Sequence, residues 1–278
     1  MMHTDMHSDH QMHEMQANGL FNPSSASHVA VNSGDWSDPS TWSTGNVPGR
    51  DAMVYIPSNV AVTYDVDSET PLDMVRVDGT LTWSDTTDTK MVVETIVTMH
   101  GSLFEMGAAD DPLGAGINAE IVFRDTSFGS DSAQLGHGLV AFGEVNIHGA
   151  EKESHLTIDG DLNAGDRSVT VNGDTSNWQV GDTLLLVGTE YGGMTNKVLN
   201  TQDEERVITS ISGNEITFDR ALNYDHNAPD GYGLETHVAN LSRNIVLSSE
   251  NPDGIRGHVM MHNSTVNVDH GTANSVQH

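Results

Sequence analysis

The chain has 278 residues, with 11 Lys and Arg against 40 Asp and Glu, a formal net charge of −29 and no cysteine. That balance excludes nucleic acid and anionic membrane surfaces as partners, since both demand clustered cations. The missing cysteines exclude disulfides, zinc ribbons, iron–sulfur centres and thiol catalysis. No apolar run reaches the ~18 residues that a membrane span needs, so no membrane insertion is expected.

Residues 1–27 stand apart, with four of the 15 histidines and five of the 13 methionines in the first 15 positions. A segment this poor in apolar surface reads as a disordered tail. Thioether and imidazole groups together suit copper, so His3, Met6, His7, His10, Met12 and His13 form its candidate metal ligands. The tail lacks the basic and apolar segments of a secretory signal peptide.

From His28 the texture turns to short strands broken by turns. Val29–Val31 precedes a turn-rich loop, GDWSDPSTWSTGNVPGRD, carrying Trp36 and Trp42. Strands are then expected at 52–56, 60–64, 74–77, 80–83, 91–98, 102–104 and 119–123, with period-two alternation in VRVDGTLTW. VRVDGTLTW and IVTMHGSLFEM both read strand, Gly, strand, with Gly79 and Gly101 22 residues apart. A third such unit surrounds Gly149. Short β segments at this period predict stacked β coils, each burying its inner face against its neighbours, with an antiparallel sandwich as the competitor.

Residues 160–240 carry longer consecutive strands, SVTV, TLLLVG, RVITSIS and EITF, with SGN as a hairpin turn. They predict a small antiparallel barrel or sandwich inserted in the stack. Short units return after Asn240. The predicted organisation is a tail at 1–27, β coils at 28–125 and 126–159, the inserted domain at 160–240, and a further, apparently truncated stack at 241–278. An open stack needs a cap, so further domains of a longer parent chain are expected.

The run GDWSDPSTWSTGNVPGRDAMVYIPSNVAVTYD, with VRVDGTLTW, TIVTMHGSLFEMG and GAGINAEIVF, resembles the eight-glycine domain, and the similarity extends over roughly residues 28–262. This module occurs in cell-migration-inducing hyaluronidase, transmembrane hyaluronidase, fibrocystin and large secreted bacterial proteins, and the texture is nearest the bacterial members. The resemblance implies an all-β, right-handed parallel β-helix-like fold, a secreted, extracellular location and an extracellular polysaccharide as partner. The ending NVDHGTANSVQH departs from the family's glycine–arginine–threonine–aspartate element, which leaves chemistry built on later coils without its residues here.

Candidate chemistry is sparse. Glycoside hydrolysis needs two carboxylates about 5–10 Å apart. Asp225, Asp253 and Asp269 are the acids near the RGH segment, with His226, Arg256 and His258 for acid–base or binding roles. Turn aspartates in solvent are the bland alternative. His258 and His262 on a strand would lie about 13 Å apart, too far to share an ion. DGDLNAGD (159–166) mimics a calcium loop but lacks its glycine at the sixth position and its glutamate at the twelfth. Calcium elsewhere and copper at the tail are the cofactors the sequence admits, with no organic cofactor. Trp36 and Trp42 can stack on sugars or cover the end of the stack, and Arg243 is a candidate substrate cation. The reading ranks a non-catalytic carbohydrate-associated module first, a hyaluronidase-like glycoside hydrolase second and a copper-binding protein third.

Overall fold

The computed structural model describes residues 15–129, 131, 133–190, 193–195, 198–199, 201–229, 231–262 and 266–268. The chain divides into two compact units, one running to Ala150 and resuming at Asn244, the other spanning Glu151–Arg243.

The first unit is a stack of parallel β coils. One sheet orders His28–Val29, Met53–Ile56, Asp67–Val77, Thr89–Thr98, Gly138–Ala141 and His258–Met261. Ala119–Phe123 and Ile245–Ser249 extend it sideways from Thr89–Thr98. A second sheet orders Gly34–Asp35, Ala61–Tyr64, Thr80–Trp83, Leu103–Met106, Glu144–Ile147 and Val266–Val268. Each coil lends one strand to each sheet, and pairing within both is parallel.

Alternation builds the interior, because successive side chains on a strand point to opposite faces. Val54, Val75, Ile96 and Leu139 share one inward row, each fully buried. On the second sheet Val62, Leu81, Phe104 and Val145 form the equivalent row. Beside it Trp36, Tyr64, Trp83 and Phe104 pack in succession, with ring centroids 5.1, 5.7 and 4.8 Å apart. Such pairs add about 0.5–1.5 kcal/mol each beyond their buried area.

The coils repeat in a register different from the glycine spacing. Thr80 pairs Leu103 and Leu103 pairs Glu144, so the residue opposite Gly79 is Ser102, and the next is Gly143. Gly101 is one place off, and the third strand–Gly–strand unit turns at Gly143, not Gly149. Gly79 has a steric reason: a Cβ there would lie 2.2 Å from the Pro57 carbonyl and 2.3 Å from that of Val60. The turn of one coil sits directly on the turn below it.

Residues 15–27 of the segment expected to be a disordered tail are ordered. Residues 15–20 are helical, Ala17 joins a buried cluster with Val97, Met99, Val140 and Phe142, and Phe21 is fully buried. The Arg76 guanidinium donates to the Asn18 side-chain oxygen at 2.8 Å and the Phe21 carbonyl at 2.9 Å. Two apolar side chains and one buried cation thus order a segment that composition alone assigns to solvent.

The second unit is a closed antiparallel barrel in the order His155–Ile158, Ser168–Asn172, Glu215–Phe218, Glu204–Ser212, Thr183–Leu186 and His237–Asn240. The hairpin at Gly213 is as expected, with φ +59°. The boundaries are wider than 160–240, because the first strand and its partner His237–Asn240 close the barrel. Its core includes Leu156, Val171, Trp178, Leu184, Leu186, Ile216 and Phe218.

Candidate functional site

The outward face of the second sheet holds a hollow of about 530 Å³. Its floor is one register row, Asp35, Thr63, Thr82 and Glu105, contributed by four successive coils. Rungs about 4.8 Å apart bring these side chains into contact range. Thr82 Oγ1 donates to Thr63 Oγ1 at 3.3 Å, and Asn146 in the next coil donates to Glu105 at 3.0 Å.

Two loops wall the floor. Asp65, at the end of one strand, accepts from the Ser37 amide at 2.9 Å and its hydroxyl at 2.5 Å. Residues 84–87 supply Ser84, Asp85, Thr86 and Thr87, with Ser84 and Thr86 hydroxyls 3.1 Å apart. The opposite wall, Gly107 to Leu113, turns at Gly107, where φ is +77° and a Cβ would lie 2.3 Å from the His148 carbonyl. Asn244 holds the far side of that loop. Its amide donates to the carbonyls of Leu113, Gly114 and Ile117 at 3.0–3.1 Å and its oxygen accepts from the Ala150 amide at 2.9 Å. The Trp83 side chain turns away from the hollow into the interior aromatic packing, where its buried Nε1–H has no acceptor among the described residues. Hydroxyls and carboxylates along a regular ladder suit a polyol ligand.

None of these residues stands among the sequence candidates. A signal was present: each floor residue immediately precedes a large interior one, in Asp35–Trp36, Thr63–Tyr64, Thr82–Trp83 and Glu105–Met106.

The sequence candidates fall elsewhere. Trp36 and Trp42 are 2% exposed and pack edge to face with centroids 4.8 Å apart, while Trp42 Nε1 donates to the Trp36 carbonyl. With their faces in the core they offer no ring to a sugar, which corrects their assignment as substrate-binding residues. Asp225 is an exposed loop residue whose carboxylate accepts from the Ala164 amide at 2.8 Å. His226 is fully buried in the barrel unit, with Nδ1 2.8 Å from the Val187 carbonyl and Nε2 3.2 Å from Glu204. Both ring nitrogens face acceptors, so the ring is structural, which corrects its acid–base assignment. Arg256 is exposed and donates to the Pro252 carbonyl at 2.7 Å, and Asp253 is exposed in the same turn. His258 sits on the strand His258–Met261, paired with Gly138, and its Nε2 is buried without a partner among the described residues. Arg243 donates to the carbonyls of Asn240 and Ser242. Asp225, His226 and Arg243 belong to the barrel unit, Asp253, Arg256 and His258 to the coil unit. Asp269 and the tail ligands His3, Met6, His7, His10, Met12 and His13 lie outside the described residues. Among the described residues no group of three or more His, Asp or Glu side chains is placed to hold a metal ion.

The barrel unit carries a buried charge cluster that the sequence reading missed. Glu204 accepts from the Asn223 and Tyr224 amides, the Asn223 side chain, His226 and Arg206. Burial opposes ionisation of Glu204, but these donors outweigh it and hold the carboxyl at about 2. The remaining Arg206 donors go to the carbonyls of Glu205, Arg220 and Ala221, so every partner is a strand or loop of the barrel itself.

Fold and site together define a parallel β-coil protein with an inserted antiparallel barrel and an acidic, hydroxyl-rich hollow on one coil face. Within that class, residues 41–175 match the G8 domain model. The chain is 29% identical over 258 residues to a G8 domain-containing protein of Dictyostelium discoideum, covering 86% of this chain and 17% of that protein. It is 26% identical over 245 residues to Communication mutant protein F of the same organism, covering 81% of this chain and 21% of that one. The chain therefore spans about a fifth of the length of these relatives. Among solved structures, the tailspike of Acinetobacter baumannii bacteriophage AP22, in complex with capsular saccharide, matches with a TM-score of 0.27. It is 16% identical, over 70% of this chain and 23% of that one.

Proposed function

We propose that the coil unit is a non-catalytic saccharide-binding module of an extracellular protein, with the hollow over Asp35, Thr63, Thr82 and Glu105 as its binding face. One observation carries the reading: four coils present hydroxyls and carboxylates in a single register row, walled by two loops, one of which is held in place by close contacts at Gly107 and Asn244. A linear glycan laid along the stack meets an equivalent polar position at each rung, so its hydroxyls find partners without rearrangement of the sheet. The acidic, lysine-poor surface, with three lysines in the chain, suits a hydrated, salty medium. The resemblance to secreted eight-glycine proteins supports the same setting.

The test is a polysaccharide microarray probed with the chain and with Thr63→Val/Thr82→Val, which keeps side-chain shape and removes the floor hydroxyls. The expected result is retention on at least one neutral or amino-bearing glycan, weakened about fivefold or more in the variant, with no reducing ends released. Release of reducing ends would overturn the non-catalytic assignment. Equal retention of the variant would remove the hollow as the binding face.

A further inference from the structure

Saccharide binding makes no use of the Met- and His-rich run at the start of the chain. Within the first 15 positions stand four imidazoles, at His3, His7, His10 and His13, and five thioethers. Met and His are adjacent at 2–3, 6–7 and 12–13, and no Lys or Arg interrupts them. Residues 1–14 lie outside the described residues, and the chain that follows fixes where they join the coil unit.

The junction is on the outward face of the first sheet. Residues 15–20 are helical, and Ala17 shares a buried cluster with Val97, Met99, Val140 and Phe142, against which Met260 packs. Arg76 holds the same segment through the Asn18 side chain and the Phe21 carbonyl. This face carries soft donors of its own. Alternation turns Met260 and His262 outward together, with Met260 in register with Val140 and the His262 ring stacked on Phe142 at 5.2 Å between centroids. Two positions along a strand is about 6.6 Å, a span that a flexible thioether and an imidazole can close on one ion. Two donors are too few to hold it alone.

We propose that the Met–His run of residues 1–14 joins Met260 and His262 in a site for copper(I). Thioether sulfur and imidazole nitrogen are the ligands that select this soft ion, whereas carboxylates suit magnesium, calcium and manganese. Met12 and His13 stand two to three residues before Met15, so they are the pair that the docked helix tethers most closely to the face. A tether this short gives the run a high effective concentration at the face, which offsets the cost of ordering it around the ion.

The test is competition between the full chain and bicinchoninate for copper(I), under anaerobic reducing conditions and read by absorbance. The full chain is expected to hold one copper(I) about tenfold or more tighter than a chain lacking residues 1–14, which keeps the docked helix. Met260→Leu/His262→Gln is expected to weaken the full chain about fivefold or more. Copper-edge X-ray absorption of the full chain, which needs no variant, is expected to show both sulfur and nitrogen neighbours. Equal affinity without residues 1–14 would overturn the site, as would unchanged affinity in Met260→Leu/His262→Gln. Nitrogen and oxygen neighbours alone would overturn the thioether ligands, and displacement of the copper by an equal concentration of zinc(II) would overturn the choice of a soft ion.

Discussion

Replacing Glu204 by Gln tests whether the barrel depends on a buried ion cluster. Glu204 and Arg206 have side chains 3% and 2% exposed, and the carboxyl is held at about 2 against an ordinary 4.5. A depressed carboxyl contributes stability that is complete above its unfolded value and disappears as pH falls through the folded value. The shift of about 2.5 units corresponds to about 3 kcal/mol at pH 7, in the range expected for breaking a buried pair. Glutamine keeps the shape but leaves Arg206 without its counter-charge. Urea unfolding, followed by hydrogen exchange in residues 204–218, should show the variant about 3 kcal/mol less stable at pH 7. At pH 3 the wild-type carboxyl has lost about half its contribution, so the gap should narrow to about half its size at pH 7. A gap below about 1 kcal/mol at pH 7, or one that does not change with pH, would refute the reasoning.

Other substitutions probe the coil unit. Gly79→Ala places a methyl 2.2 Å from the Pro57 carbonyl and should cost about 3 kcal/mol in chemical denaturation; a loss under about 1 would contradict the turn-on-turn stacking. Asn244→Ala removes donors to three carbonyls and an acceptor for Ala150, and should cost about 3 kcal/mol, with raised hydrogen exchange confined to the strands and loops near residues 113–119. Gly107→Ala meets both a positive φ and the His148 carbonyl, so saccharide affinity should fall with stability; unchanged affinity would detach the 107–113 wall from the hollow.

The stacked coils were legible because burial of every second residue leaves period-two runs such as VRVDGTLTW, and the first coils, through Val54, Val75 and Ile96, recur every 21 residues. The register was less so, since Gly79 and Ser102 play the same part in the turn while Gly101, at φ +83°, serves a different one. The barrel hairpin was read from SGN, but its closing strands, His155–Ile158 and His237–Asn240, are four residues each and some eighty residues apart, and only pairing reveals them. His226 stood out in NYDHN as a reactive candidate. The sequence there carries no trace of Glu204, 22 residues away, whose carboxylate takes one side of the ring. The hollow escaped notice because its floor residues are ordinary Thr, Asp and Glu, and only stacking turns them into a row. Trp36 and Trp42 attracted a sugar-binding role by residue type, whereas the packing uses their bulk to fill the coil interior.

The most direct test of the account maps a bound saccharide by backbone amide shifts in the isotope-labelled chain, titrated with an oligosaccharide of the glycan that the microarray retains. The account predicts perturbations centred on residues 63–65, 82–87 and 105–113, with strands 204–212 and 215–218 unmoved. Perturbations centred on the barrel unit, or spread evenly over the acidic surface, would contradict it.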